Sequence, residues 1–383
     1  MKIFTKIIIC ITLFFFLNIQ KIYAEEKIKI GLLVPLSGEN SEIGKSIIKS
    51  VRLAINKIDS SLLEIIPKDT ESSPQITLKH AKELGDSGIK IIIGPVFNKN
   101  LIYLDELKDI IFLSLTNKII DNPKNIISAG INASSQLNTI VKFIETNDLK
   151  KTIFLIPDEK YKEEIKKGIS KSKIKINKIY YYDTKPTKLT KQIEKITKYE
   201  QRKQNLKDEI KRIENSDENN KEKKIENLEK KDTIGKIDFD SIIIADFDQN
   251  LKSITTSLLY TDVLPKNISF ITLNQWFDES LLKEKTIQPI YFPSINKNNY
   301  DDFVKNYYET FDEYPNQLSF LSYDLIGLVY YLIAQNNFII DQKIFIKKNK
   351  FKGKIGIFEI KGNKINHILN FYKVNDGEFK KIF

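Results

Sequence analysis

Apolar residues recur along the chain in two alternating rhythms. Short runs at 27–36, 62–67, 89–93 and 110–113 have the length and β-branched content of buried strands. Between them the spacing is helical. After residue 41, Ile43, Ile47, Ile48, Val51, Ala54 and Ile55 fall three and four apart, and Ser41 and Glu42 suit a first turn. Residues 74–84, closed by Gly85, and a stretch near 98–108 read as the next two helices. Strands and helices in strict alternation predict a parallel sheet covered on both faces.

The alternation then restarts. Residues 152–156, 174–182, 241–245, 268–273 and 289–292 read as strands, with helices at 160–170, 252–260, 300–311 and 319–334. Residues 354–360 and 369–374 read as a closing antiparallel pair. The fold class is therefore α/β, with two successive doubly wound lobes. One segment departs from the rhythm: 185–231 is dense in Lys, Glu and Asn. There Leu189, Ile193, Ile196, Leu206, Ile210 and Ile213 form a narrow apolar seam, broken at 216–220. It reads either as a coiled-coil-like helical hairpin projecting from the second lobe or as a disordered charged insertion.

Composition narrows the chemistry. The chain has 383 residues, one Cys and two His, which excludes a disulfide scaffold and a Cys-type metal centre. No cofactor and no metal are expected. Lysines precede an apolar run at 7–17, and Ala24 precedes Glu25-Glu26. Residues 1–24 thus read as a secretory signal cleaved after Ala24, too short to span a bilayer, which directs the protein to the periplasm with no stable membrane insertion. Cys10, within the run, is poorly placed to accept a lipid. The net charge of +11 comes from scattered lysines in an exported chain, so it is read as solvated surface and not as a nucleic-acid footprint.

Catalytic motifs are sparse. Gly38 and Gly44-Lys45-Ser46 mimic a phosphate loop but carry one residue too many between the glycines. There is no nucleophile elbow, and neither His80 nor His367 has an acidic triplet around it in the sequence. What remains is a row of polar residues just past strand ends: Ser37, Gly38, Asn98, Ser114, Thr116, Tyr161 and Asp246. Small ligands bind at such edges of open α/β sheets, although capping and turn duty explains each residue singly as well. Converging carboxylates, the requirement for a hydrolase, cannot be read from spacing.

The stretch from Ile30 to Gly38, then Gly94-Pro95 and Ser114, resembles the type I periplasmic binding proteins of the leucine/isoleucine/valine-binding group. Ser322-Tyr323-Asp324 and residues 351–358 are similar to later segments of that group. The resemblance implies two lobes joined by three crossovers and closing over a ligand. The first lobe is expected at 25–145 with 300–340, the second at 146–299 with 344–383. It also implies a non-catalytic receptor that takes an amino-acid-like ligand and passes it to an ABC permease. Ser37, Asn98, Ser114 and Thr116 would face Tyr161, Asp246 and Trp276 across the cleft. Thr116 and the amides near Gly38 would take an anionic end, Asp246 a cationic group, and Tyr161 and Trp276 would form aromatic walls. Pro67-Lys68-Asp69-Thr70, Tyr199 to Arg202 and Asn274-Gln275-Trp276 resemble a sister branch, the penicillin-binding protein activators. That branch implies a cell-wall synthase as partner.

Overall fold

The computed structural model describes residues 27–383 except 59–61, 122, 218, 346, 362 and 363. The expected signal segment, with its cleavage point, lies outside the described residues. The first lobe contains β1 (Ile28–Val34), α1 (Ser41–Ile58), β2 (Leu63–Asp69), α2 (Pro74–Asp86), β3 (Ile91–Ile93), β4 (Ile111–Ser114) and β5 (Ile126–Ser128). The strands form one parallel sheet in the order β2-β1-β3-β4-β5. Alternate residues of β1 serve opposite faces: Ile30, Leu32 and Val34 enter one apolar cluster and Leu33 another. Gly94, just after β3, has φ +103°, and a Cβ there would collide with the Leu33 carbonyl, so glycine is required.

The second lobe begins with α3 (Ala133–Thr146), β6 (Thr152–Pro157), α4 (Lys162–Lys171) and β7 (Lys178–Tyr182). It continues through α5 (Pro186–Ile196), α6 (Tyr199–Glu214), α7 (Lys221–Glu229), β8 (Ser241–Ile244) and α8 (Asp248–Tyr260). Then come β9 (Ser269–Thr272), α9 (Ser280–Lys283) and β10 (Ile290–Ser294). The chain returns to the first lobe as α10 (Lys297–Phe311) and α11 (Gln317–Gln335), which pack on α1. Helix α11 is long and apolar enough by composition to cross a membrane, but most of it is buried inside this protein. A small antiparallel sheet, β11 (Asn349–Lys352), β12 (Ile357–Ile360) and β13 (Ile365–Ile368), leads to β14 (Asn370–Asn375) and β15 (Glu378–Lys381). The second sheet runs β15-β14-β10-β9-β8-β6-β7, parallel except for β14 and β15.

Several expectations are corrected. Residues 98–108 form two short 3-10 turns, Asn98–Leu101 and Leu104–Glu106, in place of a helix. Residues 354–360 and 369–374 do not pair with each other: β12 pairs with β11 and β13, and β14 with β10 and β15. Strand β5 and helix α3 were not foreseen. Helix α3 falls within the stretch assigned to the first lobe but packs on α4, β10 and β14 of the second, so the chain changes lobe near 129–132. In the 185–231 segment, α5 packs on α8 with Leu189 and Ile193 buried. Only α6 and α7 make a hairpin. Buried Arg202 anchors α6 by donating to the Thr261 carbonyl (3.0 Å) and Thr233 Oγ1 (2.6 Å), while α7 buries no residue.

Three crossovers join the lobes, and the small sheet ties them together. Asp324 of α11 accepts the backbone N–H groups of Lys354 (2.9 Å) and Ile355 (2.6 Å). The Ile355 carbonyl accepts from Asn296 on the second crossover (2.8 Å). His367 donates its Nε2 proton to the Ala129 carbonyl on the first crossover (2.8 Å), and its backbone N–H donates to Ser135 Oγ (3.0 Å). Burial raises the Asp324 carboxyl to about 6, against the opposing pull of the two amides. Burial lowers His367 to about 4, against the favourable Ala129 carbonyl.

Candidate ligand cleft

Between the lobes lies a cleft of about 780 Å³, within the size range of small-ligand sites. The first lobe supplies Phe97 and Asn98 after β3, Thr116 to Lys118 after β4, and Gln317, Leu318 and Leu321 at the start of α11. The second supplies Gln136 in the first turn of α3, Phe247 and Asp248 at the start of α8, and Asn274, Gln275, Trp276 and Asp278 after β9. These are the C-terminal edges of two parallel sheets, where side chains after the strands converge.

Of the eight residues singled out in the sequence, Asn98, Thr116 and Trp276 line this cleft. Ser37 and Gly38 are exposed and stand outside the lining, in a loop organised by Asp69. The Asp69 carboxylate accepts the N–H groups of Leu36 (2.7 Å) and Glu71 (2.8 Å). Burial works to raise its pKa, but these amides and Ser37 outweigh it and hold it below the usual range. Ser114 is fully buried: its hydroxyl donates to the Pro95 carbonyl (2.8 Å) and accepts from the Thr116 amide (3.3 Å). It shapes the turn that presents Thr116.

Tyr161 and Asp246 also stand behind the lining. Tyr182 Oη donates to Asp246 Oδ2 (2.6 Å), while Tyr161 Oη (3.2 Å) and the Phe247 amide (3.0 Å) donate to Oδ1. Burial raises the Asp246 pKa and these donors pull it back down, leaving it above the usual carboxylate range. Both tyrosines are raised, by burial first and then by the carboxylate. With its oxygens engaged, Asp246 is closed to a cationic ligand. Local spacing carries no sign of this closure, because Tyr182 comes from the neighbouring strand β7.

The floor of the cleft carries three carboxamides that sequence reasoning missed or passed over. Gln136 Oε1 accepts the Asn274 amide (2.8 Å). Asn274 Oδ1 accepts the Trp276 amide (2.9 Å) and the Ser294 hydroxyl (2.8 Å). Gln275 Nε2 donates to the carbonyls of Asp246 and Leu273 (3.2 Å each). The turn is held in an uncommon conformation, with Trp276 at φ +50° and Phe277 at +58°; such backbone persists where surrounding bonds determine it. The Asn132 cap, whose side chain accepts from Ser135 (2.8 Å), fixes the start of α3 and so the position of Gln136. That cap, followed by Leu137, Ile140 and Ile144 at helical spacing, was the available signal.

The charged groups lie differently. Lys118 and Asp248 are exposed at the rim, and the Asp278 carboxylate is engaged by the amide (2.9 Å) and hydroxyl (2.7 Å) of Ser280. Among the described residues no three His, Cys, Asp or Glu side chains come together as a metal site.

The family model described as "periplasmic binding protein" matches residues 27–196. No curated protein matches the chain at the sequence level. Among solved structures, the C-domain of LpoA (YraM) from Haemophilus influenzae, described as a regulator of PBP1A, is 16% identical with a TM-score of 0.62, over 93% of this chain and 100% of that one. The chain spans 60% of full-length LpoA. An ABC transporter substrate-binding protein from Desulfitobacterium hafniense, in complex with Leu, is 14% identical with a TM-score of 0.59, over 93% and 100% of the two chains. LivJ from Streptococcus pneumoniae, a branched-chain amino acid binding protein in complex with isoleucine, is 16% identical with a TM-score of 0.52, over 93% and 99%.

Proposed function

We propose that this chain, which has the type I periplasmic-binding-protein fold and carries that family's sequence pattern over residues 27–196, is a non-catalytic receptor of the cell envelope. It captures a small polar ligand between its lobes and presents the closed form to a membrane partner such as an ABC permease. The observation that carries this reading is the cleft itself, walled by residues from both sheets' C-terminal edges. Binding in such a cleft favours lobe closure, because only the closed form contacts the ligand from both sides.

A thermal-shift screen of the exported form against amino acids, sugars and short peptides tests the reading. A ligand at a hundred times its Kd stabilises the folded state by about 2.7 kcal/mol. Stabilisation that Trp276→Ala abolishes supports a cleft receptor. A screen with no response from any class removes it.

The likeness to the LpoA C-domain favours a second reading, as a regulator of a cell-wall synthase. Function would then sit on an exposed surface, and the α6–α7 hairpin, with α7 carrying no buried residue, is the natural candidate. Replacing 215–231 by a short Gly-Ser loop should abolish synthase binding and leave ligand-induced stabilisation intact; retained synthase binding counts against it.

A further inference from the structure

We infer that the cleft floor is built to receive a neutral secondary amide, not the charged ends of a free amino acid; the inference rests on the receptor reading above. Gln136, Asn274 and Gln275 are only 8%, 4% and 6% exposed. Each is fixed at one end of its carboxamide by the bonds already described. Among the described residues, the other ends, Gln136 Nε2, Asn274 Nδ2 and Gln275 Oε1, have no protein partner, yet they are not sealed from the cavity. The floor thus offers two amide-nitrogen donors and one oxygen acceptor on three immobilised carboxamides, Gln136 being bonded to the Asn274 amide and Asn274 adjoining Gln275 in the chain.

That set matches an amide, which presents a carbonyl acceptor and an N–H donor a short distance apart. It is a poor match for a zwitterion. A buried carboxylate or ammonium needs an opposing charge or several donors, and the cleft's free charges, Lys118 and Asp248, stand at the exposed rim. Phe247 and Trp276 from the same lobe, and Phe97 from the opposite one, line the cleft with the carboxamides and offer apolar contact to a methyl group or a ring face. Asn98 and the Thr116 hydroxyl add neutral polar contacts from the opposite lobe. An acetamido sugar and the internal bond of a short peptide both carry this chemistry.

The test is isothermal titration of the exported form at pH 7. The probes are N-acetylglucosamine and its disaccharide, a dipeptide blocked at both ends, glucosamine, and leucine. We expect the acetylated sugar or the blocked dipeptide to bind at least tenfold more tightly than glucosamine and leucine; which of the two does so identifies the source of the amide. Gln136→Glu keeps an oxygen for the Asn274 amide but turns the free donor into an acceptor. It should weaken amide binding at least tenfold, read at a temperature below the variant's own thermal midpoint so that loss of binding is separated from loss of fold. Leucine binding as tightly as the amides, or amide binding indifferent to Gln136→Glu and to Gln275→Met, overturns the inference and leaves the receptor reading standing. Silence from amide probes and leucine alike overturns the inference, and the wider screen above then decides whether the receptor reading falls with it.

Discussion

At the hinge and at the cleft floor the chain buries polar side chains in opposite ways. Asp324 places each carboxylate oxygen on a backbone amide of the turn between β11 and β12, and His367 spends its proton on the Ala129 carbonyl while, among the described residues, its Nδ1 sits sealed without a partner. Both side chains are buried and, among the described residues, offer no open polar group to an exchangeable molecule. At the cleft floor, Gln136, Asn274 and Gln275 are tied at one end and open to the cavity at the other. A sealed unpaired atom costs about 1–3 kcal/mol, whereas one facing water costs little until something replaces the water. The difference separates groups that hold the lobes in register from groups that wait for a ligand.

The comparison breaks most readily at the hinge. Asp324→Ala strips one buried and one half-buried N–H group of their acceptor and should lower stability by about 3 kcal/mol, read by urea denaturation. Titration gives a finer test. The Asp324 carboxyl is raised to about 6, so it stabilises the fold on the acid side and that contribution is lost as pH rises from about 4 to 6. His367 is lowered to about 4, so its contribution is present above about 6.5 and is lost as pH falls towards 4. The two slopes oppose each other, each by up to about 1.4 kcal/mol per pH unit. Asp324→Asn should therefore make the protein lose stability more steeply between pH 6 and 4, and His367→Gln less steeply. Parallel profiles for the two variants would refute the assignment.

Behind the cleft, Tyr182→Phe removes one donor from Asp246 and should cost about 1–2 kcal/mol, measured by calorimetry. The smallest effect on stability is expected at the cleft wall. Trp276→Asn suits the left-handed backbone better and should keep stability within about 1 kcal/mol while weakening ligand binding. A large loss of stability there would move Trp276 from the ligand side of the comparison to the structural side.

Much of the fold is legible in the sequence because burial on both faces leaves unbroken apolar runs such as Ile91 to Ile93 and Ile242 to Ile244. The crossing at 126–146 was not legible: β5 is three residues long and α3 opens on Ser134, Ser135 and Gln136, which look like a loop until Asn132 is recognised as its cap. The candidate site was legible only in part. Asn98, Thr116 and Trp276 follow strands as the ligand rule requires. Asp246 obeys the same rule and is closed off by Tyr182, a partner 64 residues away. Gln136 gains its place only by meeting the Asn274 amide 138 residues on. Local periodicity carries no record of such meetings.

The chain contains a single tryptophan, and it stands in the cleft wall. The protein therefore carries its own optical reporter: indole emission comes from one position only. Entry of a molecule changes the water around that ring, and lobe movement shifts the residues opposite it. Occupancy can be followed in the unlabelled protein, with no second fluorophore to dilute the signal.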